Sequence, residues 1–381
     1  MNIKLGYERG MALLAILGLL LLIFTTALIA SVSHNTQSYE RGKQTSLALA
    51  AVRDALMGYS LMANTKPEPP GSLPCPAQNR QGSPVSINVA TGKCAILRGL
   101  VPYRILGIGE PLDGSGAPIW YAPDADLAGT TNNLRNSSGT SKLSLKISSA
   151  NRTEAVAFVL VAPNQPIGAQ QPNTATTLVA AEFLEGINGA ANTTQYDDLK
   201  DAQHNDQILA MPLGQFWTQI EQRVFKDIAK LLQEYLDKCK LHPWAAGWLS
   251  KDGMSLSTVF AGSVPLVWPP DCSGEFAPAP PADDGWLRTH WSGLFYYAIC
   301  DLAGGNPPNA GCLQVTTPTG IKAAKVIAIA PGAVLTGQDR SQVDKENYFE
   351  ALNADNNTGT FTQMPVNQHT QTFNDVLFII Q

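Results

Sequence analysis

Few residues in this 381-residue chain have the types and spacing that chemistry requires. Asp124 and Asp126, and Asn353 and Asp355, offer the carboxylate and amide oxygens that Ca²⁺ prefers. Neither segment follows the EF-hand spacing, so a solvated turn is the favoured interpretation and Ca²⁺ binding the alternative. The sequence contains no Walker A, GxGxxG, HExxH or GxSxG motif, and its five histidines are scattered. We therefore predict no catalytic residue, and no cofactor beyond the Ca²⁺ alternative.

The cysteines are the second set of residues with chemical potential. The six are Cys75, Cys94, Cys239, Cys272, Cys300 and Cys312. An even number suggests disulfides if the chain lies in an oxidising compartment, although six cysteines allow 15 pairings. Proximity in sequence favours Cys75–Cys94 and Cys300–Cys312, which leaves Cys239–Cys272.

Composition limits the classes of partner. Charged residues make up only 15% of the chain and the formal net charge is −5. The sequence has no cluster of lysine and arginine, so it carries no signal for nucleic-acid binding. Tryptophans concentrate in one stretch, and we interpret them as core residues in preference to a glycan- or partner-binding surface. They are Trp244, Trp248, Trp268, Trp286 and Trp291.

An uncharged, mostly apolar run covers residues 11–33, directly after the basic residues Lys4 and Arg9. About 20 apolar residues in a helix can cross a bilayer, and positive flanks stay in the cytoplasm. We therefore expect a transmembrane helix at 11–33, with a cytoplasmic N-terminus. Beyond it, helical spacing continues to about residue 63, with an apolar stripe that faces a globular head. The stripe consists of Leu49, Val52, Leu56, Tyr59 and Met62.

The N-terminal third resembles type IV prepilins and pseudopilins. The resemblance covers about residues 1–125 and rests on a basic leader that ends at Gly10 before Met-Ala-Leu-Leu, with GSLPCP, VPYRILG, a D-x-x-G turn and IWYA further on. It implies cleavage after Gly10 and methylation of Met11 by prepilin peptidase. It also implies other minor pilins or pseudopilins, inner-membrane lipid and an assembly platform as partners. Most pilins have Glu at the fifth mature position, where this chain has Ala15, so the resemblance implies a minor, tip-located or priming subunit.

The rest of the chain contains an internal echo. Residues 155–170 resemble 323–338, residues 118–128 resemble 294–304, and residues 203–211 resemble 372–380. A second amphipathic helix is predicted at 215–238. We interpret the echo as a duplication, and the Asn-Asp of the third pair as turn chemistry.

These observations predict an α+β fold, with a long N-terminal transmembrane and stalk helix before a pilin-like head of two similar helix-plus-antiparallel-sheet units. The predicted domains are a leader (1–10), a transmembrane helix (11–33), its extracytoplasmic continuation (34–63) and two α/β units (64–211 and 212–381). The predicted location is the bacterial inner membrane, single-pass, with a periplasmic head. The predicted function is that of a non-enzymatic minor pilin or pseudopilin at the tip of, or priming, a type IV pilus-like filament. The alternatives are a type II secretion pseudopilin and a signal-anchored extracytoplasmic binding protein or enzyme that does not polymerise.

Overall fold

The computed structural model describes residues 5–62, 68–129, 136, 141–172, 178–240, 242–249, 260–265, 285–300, 313–354, 359–370 and 372–380. Its helices are α1 (Leu5–Leu61), α2 (Gly186–Gly189), α3 (Leu213–Cys239) and α4 (Gly285–His290). The strands of the first half are β1 (Gly99–Leu100), β2 (Trp120–Pro123), β3 (Ser144–Ile147), β4 (Arg152–Ala162), β5 (Gln195–Asp197) and β6 (Gln207–Pro212). Those of the second half are β7 (Ala261–Ser263), β8 (Tyr296–Ile299), β9 (Leu313–Thr317), β10 (Gly320–Ala324), β11 (Val326–Ala330), β12 (Thr360–Thr362) and β13 (Val376–Ile379).

Strand β4 is the centre of the first sheet. Its carboxyl-terminal half lies between β2 and β6, both antiparallel to it, and β1 extends the sheet beyond β2. Its amino-terminal half pairs with β3, which in turn pairs in parallel with β5. Alternate residues of β4 face opposite sides, because strand side chains have a period of two. Phe158 and Leu160 face the helices, whereas Val159 and Val161 pack beneath the loop that carries Phe183.

The same strand order occurs in the second half. Strand β11 lies between β8 and β13, and β7 extends that sheet beyond β8. Strand β9 pairs with β10 and, in parallel, with β12. The difference is that β10 and β11 are separated by Lys325, whereas β4 runs unbroken through 11 residues. Consequently, the second half has two sheets where the first half has one.

Each half contains the same hydrogen bond at the equivalent position. The Tyr121 hydroxyl donates a hydrogen bond to the Pro74 carbonyl at 3.1 Å, and the Tyr297 hydroxyl donates to the Pro243 carbonyl at the same distance. Both tyrosines lie on the aromatic strand next to the central strand, at the second residue of β2 and of β8. The segments that echo in sequence therefore occupy equivalent positions in the two halves.

Helices α1 and α3 cover the sheets from one side. On α1, burial begins at Thr45 and continues through Leu49, Val52 and Leu56, while Met62 is 50% exposed. On α3, eleven residues are buried, and they include a stripe at spacings of three or four, as an amphipathic helix requires. Burying a leucine or isoleucine side chain contributes roughly 1.5–3 kcal/mol, so the two stripes anchor both helices firmly. The helix predicted at 215–238 is thus confirmed, with slightly wider bounds.

The predicted fold class is wrong in its description of the head. The sheets are mixed, because β5 and β12 run parallel to their neighbours β3 and β9. The halves also share their main hydrophobic cluster, and a second cluster belongs to the first half alone. A single hydrophobic cluster contains side chains from α1, β4, α3, β8 and β11. The structure is therefore a mixed α/β fold in which both halves share the main core, and the predicted domain boundaries remain predictions.

The prediction of a membrane span is also corrected. Among the residues that the structure describes, no helix has a stretch long and apolar enough to cross a bilayer. This finding overturns both the transmembrane helix predicted at 11–33 and the predicted single-pass location in the inner membrane.

Candidate functional site

An apolar stretch of α1, residues 16–24, projects from the head; we call it the apolar arm. Eight of its large side chains are between 54% and 70% exposed: Ile16, Leu17, Leu19, Leu20, Leu21, Leu22, Ile23 and Phe24. Successive helical residues are about 100° apart, so the six consecutive positions 19–24 point in all directions around the helix. A contiguous exposed apolar surface of this kind marks an interaction site.

A tight turn clamps α1 at the point where it enters the head. The Gly114 amide donates a hydrogen bond to the Thr45 hydroxyl at 2.9 Å. A Cβ atom on Gly114 would lie 2.1 Å from the Arg41 carbonyl oxygen, so this approach requires glycine. Asp113 holds the turn in place, because its carboxylate accepts the amide of Asn164 at 2.7 Å and two amides of the turn itself. The D-x-x-G turn of the sequence is therefore the part of the head that fixes the direction of the arm.

A polar pocket of about 230 Å³ lies beside this clamp. Its lining residues are Gln37, Ser38, Arg41, Gly42, Ser115, Asn164, Gln165, Asn205 and Gln207. Arg41 is the one charged residue among them. The junction between the arm and the head is thus polar, in contrast to the arm itself.

The predicted cleavage and methylation residues, Gly10 and Met11, both lie within α1. Their side chains are outside the described part of the structure, and cleavage remains a prediction.

The cysteines agree with the sequence in one pair. Cys75 and Cys94 form a disulfide that closes the loop following α1, as predicted. Cys239 and Cys300 are each part of a disulfide as well. Cys272 and Cys312 lie outside the described residues, so the other two pairings remain predictions.

The first predicted Ca²⁺ segment has a structural role in this fold. The Asp124 carboxylate is buried and accepts the amides of Asp126, Lys142 and Leu143 at 2.9–3.1 Å, with the Ser141 hydroxyl at 2.8 Å. Four donors leave this carboxylate little capacity to bind a cation. Asp126 instead lies 3.8 Å from Lys93 and 3.7 Å from Lys142.

The structure describes only one of the two residues in the second predicted Ca²⁺ segment. Asn353 is buried and its side-chain amide bonds within the protein, whereas Asp355 lies outside the described residues. Within the described part, no group of three or more His, Cys, Asp or Glu side chains could hold a metal ion.

The tryptophans that are described contribute to packing. Trp291 is fully buried and donates its Nε1 proton to the Pro70 carbonyl at 3.1 Å. Trp244, Trp248 and Trp286 are half-buried against the main core, and Trp268 lies outside the described residues.

A buried cluster of polar side chains stabilises the turn before β6, the last strand of the first half. The Glu185 carboxylate accepts the amides of Asn205 and Asp206 at 3.2 and 3.0 Å, and the side-chain amide of Gln170 at 3.1 Å. In return, the Asp206 carboxylate accepts the Glu185 amide and the Asn188 side chain, both at 3.1 Å. These bonds fix the turn directly before β6.

The same cluster occurs in the second half. The Glu350 carboxylate accepts the amides of Asn374 and Asp375 at 3.0 and 3.1 Å, and the side-chain amide of Gln338 at 2.7 Å. The Asp375 carboxylate accepts the Glu350 amide and the Asn353 side chain, both at 3.0 Å. Each bond therefore has a counterpart in the first half, and the cluster fixes the turn before β13.

Burial changes the titration of both clusters. Burial raises the pKa of Asp206 to about 8, assisted by the neighbouring Glu185 carboxyl. Burial also raises the pKa of Glu350, and it raises that of Asp375 well above its usual range, with the charge of Glu350 adding to the effect on Asp375.

Sequence reasoning found only part of this cluster. It identified the Asn-Asp pairs at 205–206 and 374–375, but interpreted them as turn residues alone. It missed Glu185 and Glu350, although Leu-Glu-Gly-Ile-Asn at 184–188 and Phe-Glu-Ala-Leu-Asn at 349–353 form a further echo. A search for short E-x-x-N repeats would have found it.

Comparisons with protein-family models, with curated proteins and with solved structures found no match to this chain. Its function must therefore be argued from its own residues and geometry.

Proposed function

We propose that this protein is a non-enzymatic minor pilin or pseudopilin, a subunit that joins a type IV pilus-like filament through α1. The observation that carries this proposal is the apolar arm, exposed on all sides and projecting from a head that clamps the other end of the same helix. A helix that belongs to a globular head alone normally has one apolar stripe. The arm has apolar residues all round, so it fits the interior of a helical bundle formed with other subunits.

The geometry of the clamp supports a role in assembly. The Asp113–Gly114 turn grips α1 near Arg41 and Thr45, while burial of the helix begins at Thr45. The arm is thereby held at a fixed direction relative to the head. A fixed direction lets one subunit place its head predictably when its arm packs among other helices.

The N-terminal sequence supports processing by a prepilin peptidase. Gly10 followed by Met11 provides the small residue and the junction that this peptidase family cleaves. Ala15 lacks the carboxylate that would recruit the amine of a neighbour, so we place this subunit at the tip of the filament or in a priming complex. Other minor pilins or pseudopilins are the partners of the arm.

The arm can be tested directly. Leu20→Glu places a charge on a side chain that is 58% exposed in the single chain but buried in the proposed bundle. Val89→Glu is the matched control, because Val89 is 99% exposed on the head. Filaments should be purified and probed for the head by immunoblotting and immunogold microscopy. We expect wild type and Val89→Glu at filament ends and no Leu20→Glu. Equal incorporation of Leu20→Glu would reject the assembly role.

Processing has its own test. Gly10→Leu should block cleavage, because a large residue does not fit where the peptidase accepts glycine. N-terminal sequencing and intact mass of the mature protein should show a chain that starts at methylated Met11 in the wild type. A wild-type chain that starts at Met1 would contradict the proposal.

A further inference from the structure

The two Glu–Asp clusters leave the same oxygen atom without a donor. Oδ1 of Asp206 and Oδ1 of Asp375 are buried and receive no hydrogen bond from any described donor. In contrast, each partner glutamate accepts two backbone amides and one side-chain amide. Each glutamate therefore has a donor on both carboxyl oxygens, whereas each aspartate has donors on Oδ2 alone.

A proton on Oδ1 of the aspartate would give this unpaired oxygen a hydrogen-bonding role. Two adjacent carboxylates that are both ionised repel each other, and a buried acceptor without a donor is destabilising. A protonated Oδ1 removes one negative charge and becomes a donor toward the neighbouring glutamate. We propose that each half of the protein holds one proton between its Glu and Asp, carried on Oδ1 of Asp206 and of Asp375, and that these two pairs are pH-sensitive latches on the strands β6 and β13.

Among the described residues, the basic side chains near the first pair are engaged with other groups. Lys146, on β3, is paired with Asp197 on β5 at 3.0 Å. His204, in the loop before β6, is paired with Asp201 at 2.8 Å. Both of these basic side chains are thus already engaged with other carboxylates.

The second pair has a cation nearby, but that cation is shared. Arg340 is buried and attracts both Glu350 and Asp375, yet its guanidinium donates to the carbonyls of Pro331 and Gly332 at 3.0 Å. Arg340 also attracts Glu221 of α3, and the carboxyl groups of Glu221 and Glu350 repel each other. One guanidinium therefore faces three carboxyl groups, and it does not replace the proton.

The direction of the pH effect follows from these contacts. The folded-state pKa of Asp206 is raised from its ordinary 3.8 to about 8, so between these values the folded protein binds a proton that the unfolded chain has released. The stabilisation is complete below about pH 4 and is lost as the pH rises through about 8. Each latch then changes the unfolding equilibrium constant by up to about tenfold per pH unit.

Ionisation would act at a defined place. The paired carboxyls hold the Asn-Asp turns that precede β6 and β13, so mutual repulsion would release the start of each of these strands. Strand β6 leads directly into α3, whereas β13 forms one edge of its sheet.

Asparagine at the aspartate positions tests the proposal, because its amide mimics the protonated carboxyl. Urea unfolding of the full-length chain should be measured from pH 5 to 8.5 for the wild type, Asp206→Asn, Asp375→Asn and the double variant. We expect each single substitution to reduce the pH slope of stability by about one proton, and the double by about two. The slope that remains belongs to other buried acids such as Glu221, whose pKa burial raises to about 8. An unchanged slope in both single variants would overturn the proposal.

Two further measurements keep the test decisive if a variant folds poorly. Glu185→Gln and Glu350→Gln should be much less stable than the asparagine variants, since glutamine turns a donor toward Gln170 or Gln338. Infrared spectra of the wild type should show a protonated-carboxyl band at pH 7 that weakens as the pH rises through about 8. A wild type with no such band at pH 7 would also overturn the proposal.

Discussion

Replacing Ala351 by glycine should stabilise the protein, although the substitution removes a side chain. Ala351 has φ +49°, in the left-handed region, and follows Glu350 of the second latch. Its counterpart in the first half is Gly186, which follows Glu185 and has φ +50°. The fold thus demands the same strained backbone at both places, but only the first half meets it with glycine.

The magnitude follows from two opposing terms. The left-handed conformation costs an L-residue about 1–2 kcal/mol, which Ala351→Gly would remove. Glycine gives the unfolded chain more freedom, which costs about 0.4–1 kcal/mol. The methyl group is exposed, so little packing is lost. We expect a net gain in the free energy of unfolding of about 0.5–1 kcal/mol.

The reverse substitution is the matched control. Gly186→Ala introduces the same strain, and its Cβ atom would lie 2.9 Å from Nε2 of His204. We expect a loss of about 1–2 kcal/mol, measured by urea unfolding with tryptophan fluorescence. Opposite signs for the two variants support the equivalence of the turns. A destabilised Ala351→Gly, or a Gly186→Ala without cost, would refute the reasoning.

Three further predictions concern the head. Replacing Cys75 and Cys94 by serine should lower the free energy of unfolding by about 3 kcal/mol, because the disulfide closes a loop of 19 residues. A loss below about 1 kcal/mol in urea titrations would contradict this prediction. Gly114→Ala should cost about 1–3 kcal/mol, because its Cβ would overlap the Arg41 carbonyl, and limited proteolysis near this turn should speed up; unchanged cleavage would argue against the clamp. Asp124→Ala should cost about 3 kcal/mol through its lost amide contacts, while Ca²⁺ and EDTA should leave the wild-type Tm equal; a Ca²⁺-dependent Tm would restore the metal interpretation.

The amphipathic helices were the most predictable elements. Leu49, Val52 and Leu56 of α1 recur at spacings of three and four, and all three are buried. Helix α3 shows the same spacing between Phe216 and Tyr235. Such stripes are local, so a single sequence is enough to identify them.

The parallel strands could not be predicted in this way. Strands β5 and β12 have three residues each and lie within polar loops. Their pairing with β3 and β9 depends on where a long loop returns, and no local pattern encodes that. For this reason the sheets were wrongly expected to be antiparallel.

The latches illustrate a second limit. Glu185 and Asp206 are 21 positions apart, and their contact exists only after the chain has folded.

The apolar run at 11–33 shows a third limit of prediction from the sequence. Hydropathy indicates that a surface needs to be covered, but it does not identify what covers it.

The core shared by both halves has a consequence for synthesis. Phe216 and Ile220 of α3 belong to the same cluster as Leu160 of β4 and Leu49 of α1. A nascent chain that has emerged only as far as β6 therefore exposes one face of β4. The 27 residues of α3 take about 1–5 s to translate at 5–20 residues per second. During that interval the face of β4 that packs against α3 stays uncovered, so the first half completes its core only after α3 has been synthesised.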